Sequence, residues 1–297
     1  MADLKVDIAV DDLTVIIVTY NSAHCVPALA SALQTVPHVV VVDNASDDDT
    51  IARIQTQIPH ARLLVNSANL GFGAANNRAL KQVQTRYALL LNPDCLPDEA
   101  FFQGMVHAAR QFPDAAVIAP HLLRRQGEVE LSYRWPATHW TSSGPQAVGP
   151  CSVGFVCGAV MLLNMSVMQS IGFFDEAFFL YYEDEDLCQR VFQAQLGIVL
   201  APDVSIPHLS RGSVRGRSPL RSEYLRGFHH AQSKIIFERK YFGVDAARRL
   251  RAKTLALAML TLVLRLLLPQ PRYVARLLGR VAGLSRLRQD LMRMNKV

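Results

Sequence analysis

Leu13 to Thr19 (LTVIIVT) is a continuous run of apolar and β-branched residues that stops at Tyr20-Asn21. A strand with one wet face alternates apolar and polar residues, so an unbroken run reads as a strand buried on both faces. A second run, the four valines at 39–42, stops at Asp43-Asn44. Helical patterns occupy 24–35, 50–57 and 71–84, and further strands 61–65 and 86–91, the last ending at Asn92-Pro93-Asp94. Strands alternating with helices predict a parallel sheet with helices on both faces, an α/β fold.

Beyond Asp98 the pattern gives a helix to about Phe112, a strand near Val117 and a hairpin-like stretch over 121–133. Residues 136–150 read as a loop, 160–163 as a strand, 184–193 as a helix and 196–201 as a strand. Residues 210–219 (SRGSVRGRSP) have few apolar anchors and read as a loop that an anionic ligand could order; from Glu223 the pattern is helical.

The net charge of +6 conceals an asymmetry. Residues 1–200 carry 11 Lys/Arg against 20 Asp/Glu, whereas residues 201–297 carry 20 against 5. A basic tail suits an anionic partner. The acidic first part, with no zinc-finger, RNP or basic-zipper pattern, argues against nucleic acid as that partner. Five cysteines without a CxxC pair read as reduced thiols, and the polar, acidic N-terminus does not read as a signal peptide. Both point to a cytoplasmic protein.

Open parallel sheets bind ligands beyond the carboxyl ends of their strands. Thr19-Tyr20-Asn21, Asp43-Asn44 and Asn92-Pro93-Asp94 stand at three such ends, beside the turn Asn69-Leu70-Gly71-Phe72-Gly73 that opens a helix. Glycines admit close backbone approach and a helix N-terminus favours negative charge, so the set suits a nucleotide. The turn lacks the third glycine of a dinucleotide fingerprint and does not follow the first strand, which disfavours an oxidoreductase. Farther on, Phe178-Phe179-Leu180-Tyr181-Tyr182 runs into Glu183-Asp184-Glu185-Asp186. Carboxylates packed against apolar rings have raised pKa values, and a carboxylate so tuned can take a proton from a hydroxyl near neutral pH. Singly, these residues have plainer readings. Asp43 is a turn cap, Asp94 a helix cap, Asp186 a partner for Arg190 four residues on, and His208 a structural histidine.

Their order along the chain resembles the family 2, GT-A-fold inverting glycosyltransferases, in particular the rhamnosyltransferase-like branch. The matching segments are Val15–Asn21, Val42–Asp47, Asn69–Gly73 with Asn76 and Asn77, and Leu91–Asp94. They continue through Gly158–Met161, Ile171–Glu176, Glu183–Leu187 with Arg190, and Pro207-His208. The resemblance implies a Rossmann-like, mostly parallel GT-A domain over 1–243, with a nucleotide-sugar half at about 13–95 and an acceptor half at about 96–243. It implies that Asp43 receives the N3–H of a uracil or thymine, with Thr19, Tyr20 and Asn21 beside it and Asn69, Gly71 and Asn92 lining the donor site. Asp94 takes the metal position of a DxD motif whose first residue is Asn92, and His208 is its second protein ligand, for Mn2+ or Mg2+. Asp184 is the base, Glu183 orients it or binds acceptor, and Arg211 and Arg215 close over the diphosphate. Gln195 replaces a glycine common in relatives, and a strained turn is expected there.

Residues 244–297 form a helical, basic, apolar extension. Its apolar stretch, 255–268, is interrupted by Arg265 and is shorter than the roughly 20 residues of a spanning helix. The flanking arginines suit an anionic membrane surface, with packing on the catalytic domain as the alternative. The expected activity is transfer of a sugar, rhamnose from dTDP-rhamnose, to a hydroxyl of a glycan or lipid-linked oligosaccharide in cell-surface polysaccharide synthesis, by a peripheral protein on the cytoplasmic face of the plasma membrane. The other class left open is a catalytically silent nucleotide-sugar-binding or membrane-scaffold subunit.

Overall fold

The computed structural model describes residues 8–135, 146–209, 212, 218–267 and 270–293. Its elements in chain order begin with β1 (Leu13–Thr19), α1 (Val26–Ala32), β2 (Val39–Asp43), α2 (Thr50–Gln57), β3 (Arg62–Val65), α3 (Phe72–Leu80) and β4 (Tyr87–Leu91). They continue with α4 (Glu99–Gln111), β5 (Ala115–Leu123), β6 (Val129–Glu130), β7 (Tyr133–Arg134), β8 (Cys151–Ser152), β9 (Phe155–Val156) and β10 (Val160–Asn164). The last are α5 (Met165–Ile171), α6 (Glu183–Gln193), β11 (Gly197–Pro207), α7 (Pro219–Phe242), α8 (Val244–Leu267) and α9 (Pro271–Arg293).

Contacts divide the chain into two compact units, 1–175 with 184–215, and 176–183 with 216–297. The first is a mixed sheet of order β3-β2-β1-β4-β10-β5-β11-β8, with β6 on β5. The β3-β2-β1-β4 half is parallel, as the apolar runs predict. The sheet turns mixed at β10, which pairs antiparallel with both β4 and β5. Both faces of the sheet are buried. Val15, Ile17, Leu89 and Leu91 pack with Phe101 and Met105 of α4. Their neighbours Ile16 and Leu90 pack on the other face with Ala75 and Ala79 of α3 and Leu187 of α6. This alternation is the period of two of a pleated strand.

Three local features follow the sequence closely. Asp98 caps α4 by accepting from Phe101 N at 2.8 Å. Arg190 pairs with Asp186 at 2.9 Å and also donates to the Ile171 and Gly172 carbonyls at the end of α5. Gln195 is left-handed, φ 59°, in the turn before β11 where a glycine would be unstrained. All five cysteines are free thiols. The loop read over 136–150 falls largely outside the described residues, as does most of 210–217.

The second unit is a helical layer. In it α7 groups by contacts with α8 and α9. The reason is a glycine seam. A Cβ on Gly227 would lie 2.0 Å from the Arg276 carbonyl oxygen, one on Gly279 1.9 Å from that of Tyr224, and one on Gly283 2.5 Å from that of Phe228. The backbones of α7 and α9 therefore touch, as no larger residue would allow. Glu223 of α7 accepts from Arg276 Nε of α9 at 2.7 Å, and Arg251 Nε of α8 donates to the Leu284 carbonyl at 2.7 Å. In the same unit Phe179 stacks on His229 at 4.2 Å, and the rings of the left-handed Tyr181 and Tyr182 meet His230 edge-on. No described helix is long and apolar enough to cross a membrane.

Candidate active site

The parallel register of β1 and β2 sets Thr19 beside Asp43. Thr19 Oγ1 donates to Asp43 Oδ1 at 3.0 Å, while Ser46 donates its backbone N–H to Oδ2 at 2.8 Å and its hydroxyl to Oδ1 at 2.5 Å. A carboxylate accepts about four hydrogen bonds, so these three leave room for about one more donor. Asp43 is thus both turn cap and poised acceptor. Tyr20 exposes its ring just past the strand end. Asn21, left-handed at φ 52°, ties the same turn together: its N–H goes to Ser46 Oγ and its Oδ1 accepts from Asp47 N, both at 2.9 Å.

The glycine turn is held from beneath by Asn44, a residue to which sequence reading gave no role of its own. Buried Asn44 donates to the Gly71 carbonyl at 3.0 Å and accepts from Asn66 Nδ2 at 2.8 Å and from Leu70 N at 3.2 Å. Gly71 is left-handed, φ 88°, and opens α3. Asn69 Oδ1 accepts from Gly71 N at 2.9 Å, so its side chain shapes the turn.

At the end of β4 the chain continues through half-buried Asn92 to Asp94, whose side chain is buried. Asp94 Oδ2 accepts from Gly212 N at 2.9 Å. Its Oδ1 is buried without a hydrogen-bond partner among the described residues, and His208 Nε2 lies 3.8 Å from it. His208 is aimed by Glu130, whose Oε2 is 3.2 Å from Nδ1. A buried carboxylate oxygen left unmatched is costly, and a divalent cation between it and the imidazole would match it. Cys95 completes a cluster whose donor atoms lie within 4.8 Å of one another. Burial, with the Asp94 charge behind it, holds the Cys95 thiol well above its ordinary pKa. A protonated thiol does not suit a hard cation, so oxygen and imidazole are the fitting donors.

Asp184 sits in the first turn of α6. Its Oδ2 accepts from Gly158 N at 3.0 Å and its Oδ1 from Glu185 N at 2.9 Å. Burial holds this carboxyl above the ordinary aspartate range and the Glu185 charge adds to the shift; the two N–H bonds and Arg134 act in the opposite sense. Arg134 pairs with Glu185 and lies 4.3 Å over the Phe155 ring. The segment before β10 links Asp184 to the Asn92–Asp94 turn. Gly158 N holds Asp184, and the next residue, Ala159, accepts from Asn92 N at 2.8 Å. A Cβ on Gly158 would come within 3.3 Å of Asp184 Cβ and 3.4 Å of the Phe72 ring, so the glycine lets Asp184 approach closely. The structure therefore gathers Asn92, Asp94, His208 and Asp184 around the β4 and β10 strand ends. Glu183 is buried and groups with the second unit. Arg211 and Arg215 lie outside the described residues.

A hydrogen-bonded strand-end aspartate, a carboxylate–imidazole pair and a buried helix aspartate are thus brought to one rim of an α/β domain. The family profile described as "Glycosyl transferase family 2" matches residues 14–172, more than half of the chain. The chain belongs to that family and is a glycosyltransferase. Among similar proteins is N-acetylglucosaminyl-diphospho-decaprenol L-rhamnosyltransferase of Mycobacterium tuberculosis, 29% identical over 268 residues, 78% of this chain and 86% of the relative. Low-salt glycan biosynthesis hexosyltransferase Agl10 of Haloferax volcanii is 28% identical over 199 residues, 63% of this chain and 64% of the relative. Among solved structures, the mannosyltransferase PcManGT of Pyrobaculum calidifontis, in complex with GDP-Man and Mn2+, aligns with a TM-score of 0.54 at 16% identity, over 96% of this chain and 90% of that one. S. aureus TarS 1–349 aligns at 0.52 and 14%, over 94% and 91%. These structural likenesses show the GT-A-like fold.

Proposed function

We propose that this enzyme is a metal-dependent, inverting glycosyltransferase that moves rhamnose from dTDP-rhamnose to a hydroxyl of a glycan or lipid-linked oligosaccharide. The observation that carries the chemistry is Asp184, a carboxyl made more basic by burial and fixed by two backbone N–H groups. It takes the acceptor proton as the hydroxyl oxygen bonds to the sugar's anomeric carbon. The bond from that carbon to the diphosphate breaks with its electron pair leaving on the nucleotide, so attack from the opposite side inverts the centre. Asp43 and Thr19 hold the base, Tyr20 covers it, and the Asn44-braced turn at Asn69–Gly71 receives the rest of the donor. Asp94 and His208 would hold Mn2+ or Mg2+, which neutralises charge on the departing diphosphate. The relatives' rhamnosyl and hexosyl transfer supports the sugar and the lipid-linked acceptor. The basic second unit supports attachment to the anionic cytoplasmic leaflet.

Thermal unfolding against nucleoside diphosphates and their sugars, with and without Mn2+, tests this reading. A ligand that binds only the folded chain raises the midpoint by mass action. The expected result is a Mn2+-dependent rise with thymidine or uridine diphosphate, largest for one sugar. No rise with any of them would refute the donor assignment.

A further inference from the structure

The second unit holds a cavity of about 230 Å³ that none of the strand-end residues described above lines. Its lining includes His230 and Lys234 of α7, Leu250, Lys253 and Leu257 of α8, and Arg280 of α9. Three cations thus converge from three helices, and no acidic side chain lines the space. Two of the unit's acids are engaged elsewhere: Glu223 binds Arg226 and Arg276, and Asp245 binds Arg248. Gathering like charges is unfavourable unless an anion answers them. The imidazole senses the excess, since burial, and then Arg280, Lys234 and Arg276, hold His230 down to about 4. It stays neutral at pH 7 and keeps one N–H to donate. The space is smaller than the roughly 300–1,000 Å³ of a drug-sized site, which suits a headgroup.

One wall continues outward as apolar surface. Leu257, in the lining, is 58% exposed, and Leu260, Val263 and Leu264 beyond it on α8 are 59%, 60% and 57% exposed. Cations within and bare leucines outside match an amphiphile with an anionic head and apolar chains. We propose that this cavity binds the phosphate headgroup of an anionic phospholipid, with the exposed α8 leucines facing the acyl region. The inference rests on the proposed membrane attachment and gives it a defined contact; it does not depend on the donor or on Asp184.

Sedimentation of the full-length protein with phosphatidylcholine vesicles, with and without phosphatidylglycerol, tests it. The pair Lys253→Gln and Arg280→Gln is compared with Arg249→Gln and Arg272→Gln, which removes the same charge from exposed positions outside the lining. At about 1 kcal/mol per cation near the surface, each cavity substitution lowers partition about fivefold, and the pair about 25-fold. The matched cations stand outside the lining, farther from the proposed headgroup position where the attraction is screened, so that pair is expected to lower it only a few-fold. Inorganic phosphate without vesicles reports the free anion: it should shift the His230 ring resonance in wild type and not in the cavity pair. Equal losses for the two pairs would overturn the cavity while leaving attachment intact. Wild-type protein that ignores anionic vesicles overturns both, even if inorganic phosphate binds. Unchanged thermal midpoints establish that the variants are folded.

Discussion

Asp184→Asn isolates the base. The amide keeps the side chain's size and one acceptor, so either Gly158 N or Glu185 N retains its bond and the other loses it. A buried N–H left unmatched costs about 1–3 kcal/mol. Against that stands the removal of a carboxylate whose ionised form is disfavoured by burial. Because the folded-state pKa is raised, the ionised form costs stability at pH values above it, and nothing where folded and unfolded chains are both protonated. At neutral pH the two effects oppose each other, and in acid only the lost hydrogen bond remains, so the variant's thermal midpoint is measured beside its turnover. Losing a general base removes about 10²–10⁴-fold in rate. Turnover measured with saturating donor and acceptor should fall by that factor, while the donor's dissociation constant stays within about twofold, since Asp184 makes no proposed donor contact. Wild-type turnover should also fall as pH drops through the raised pKa, beginning at a higher pH than an ordinary aspartate gives, and the variant should lack that limb. Asp184→Asn retaining more than a tenth of wild-type turnover would falsify Asp184 as the base.

Two other changes probe separate parts of the molecule. Glu130→Ala removes the hold on His208 Nδ1, and loss of such an outer partner costs about 10–100-fold in metal affinity; Mn2+ titration of the thermal midpoint at fixed nucleotide reads it, and an unchanged Mn2+ dependence would contradict Glu130 as the group that aims His208. Gly279→Ala places a methyl 1.9 Å from the Tyr224 carbonyl oxygen, so α7 and α9 must part; overpacking of this kind costs about 1–3 kcal/mol, visible as a lower unfolding midpoint with nucleotide binding retained, and an undisturbed midpoint would contradict the seam.

The parallel half of the sheet and its strand-end residues were legible because both are local: an apolar run declares a buried strand, and the polar residue after it declares the rim. Asp43 and Asp94 fall where that logic places them. The direction of β10 was not legible, since residues 160–163 read as a strand whichever way they run, and only the long connection from β5 sets the sense. Asn44 was visible as a strand-end residue, but its brace under the glycine turn depends on the approach of Asn66 and Leu70. Lys234, Lys253 and Arg280 are separated by 19 and 27 positions, and only helix packing makes them one group. Gly279 and Gly283 are one turn apart in sequence, yet their meaning comes from the carbonyls of α7.

The seam also acts as a ruler. Gly279 and Gly283 sit against the Tyr224 and Phe228 carbonyls, four residues apart on each helix. Were α9 to advance by a single residue in a screw motion, a rise of about 1.5 Å with a turn of about 100°, Leu278 or Arg280 would come to the Tyr224 seat, and neither side chain fits a gap that rejects a methyl. A four-residue shift would seat Gly283 on Tyr224 but bring Leu287 to Phe228, so only the present setting seats both glycines. That setting fixes how far Arg280 on one helix stands from His230 and Lys234 on the other, so three hydrogen-only side chains calibrate the charge spacing of the second unit.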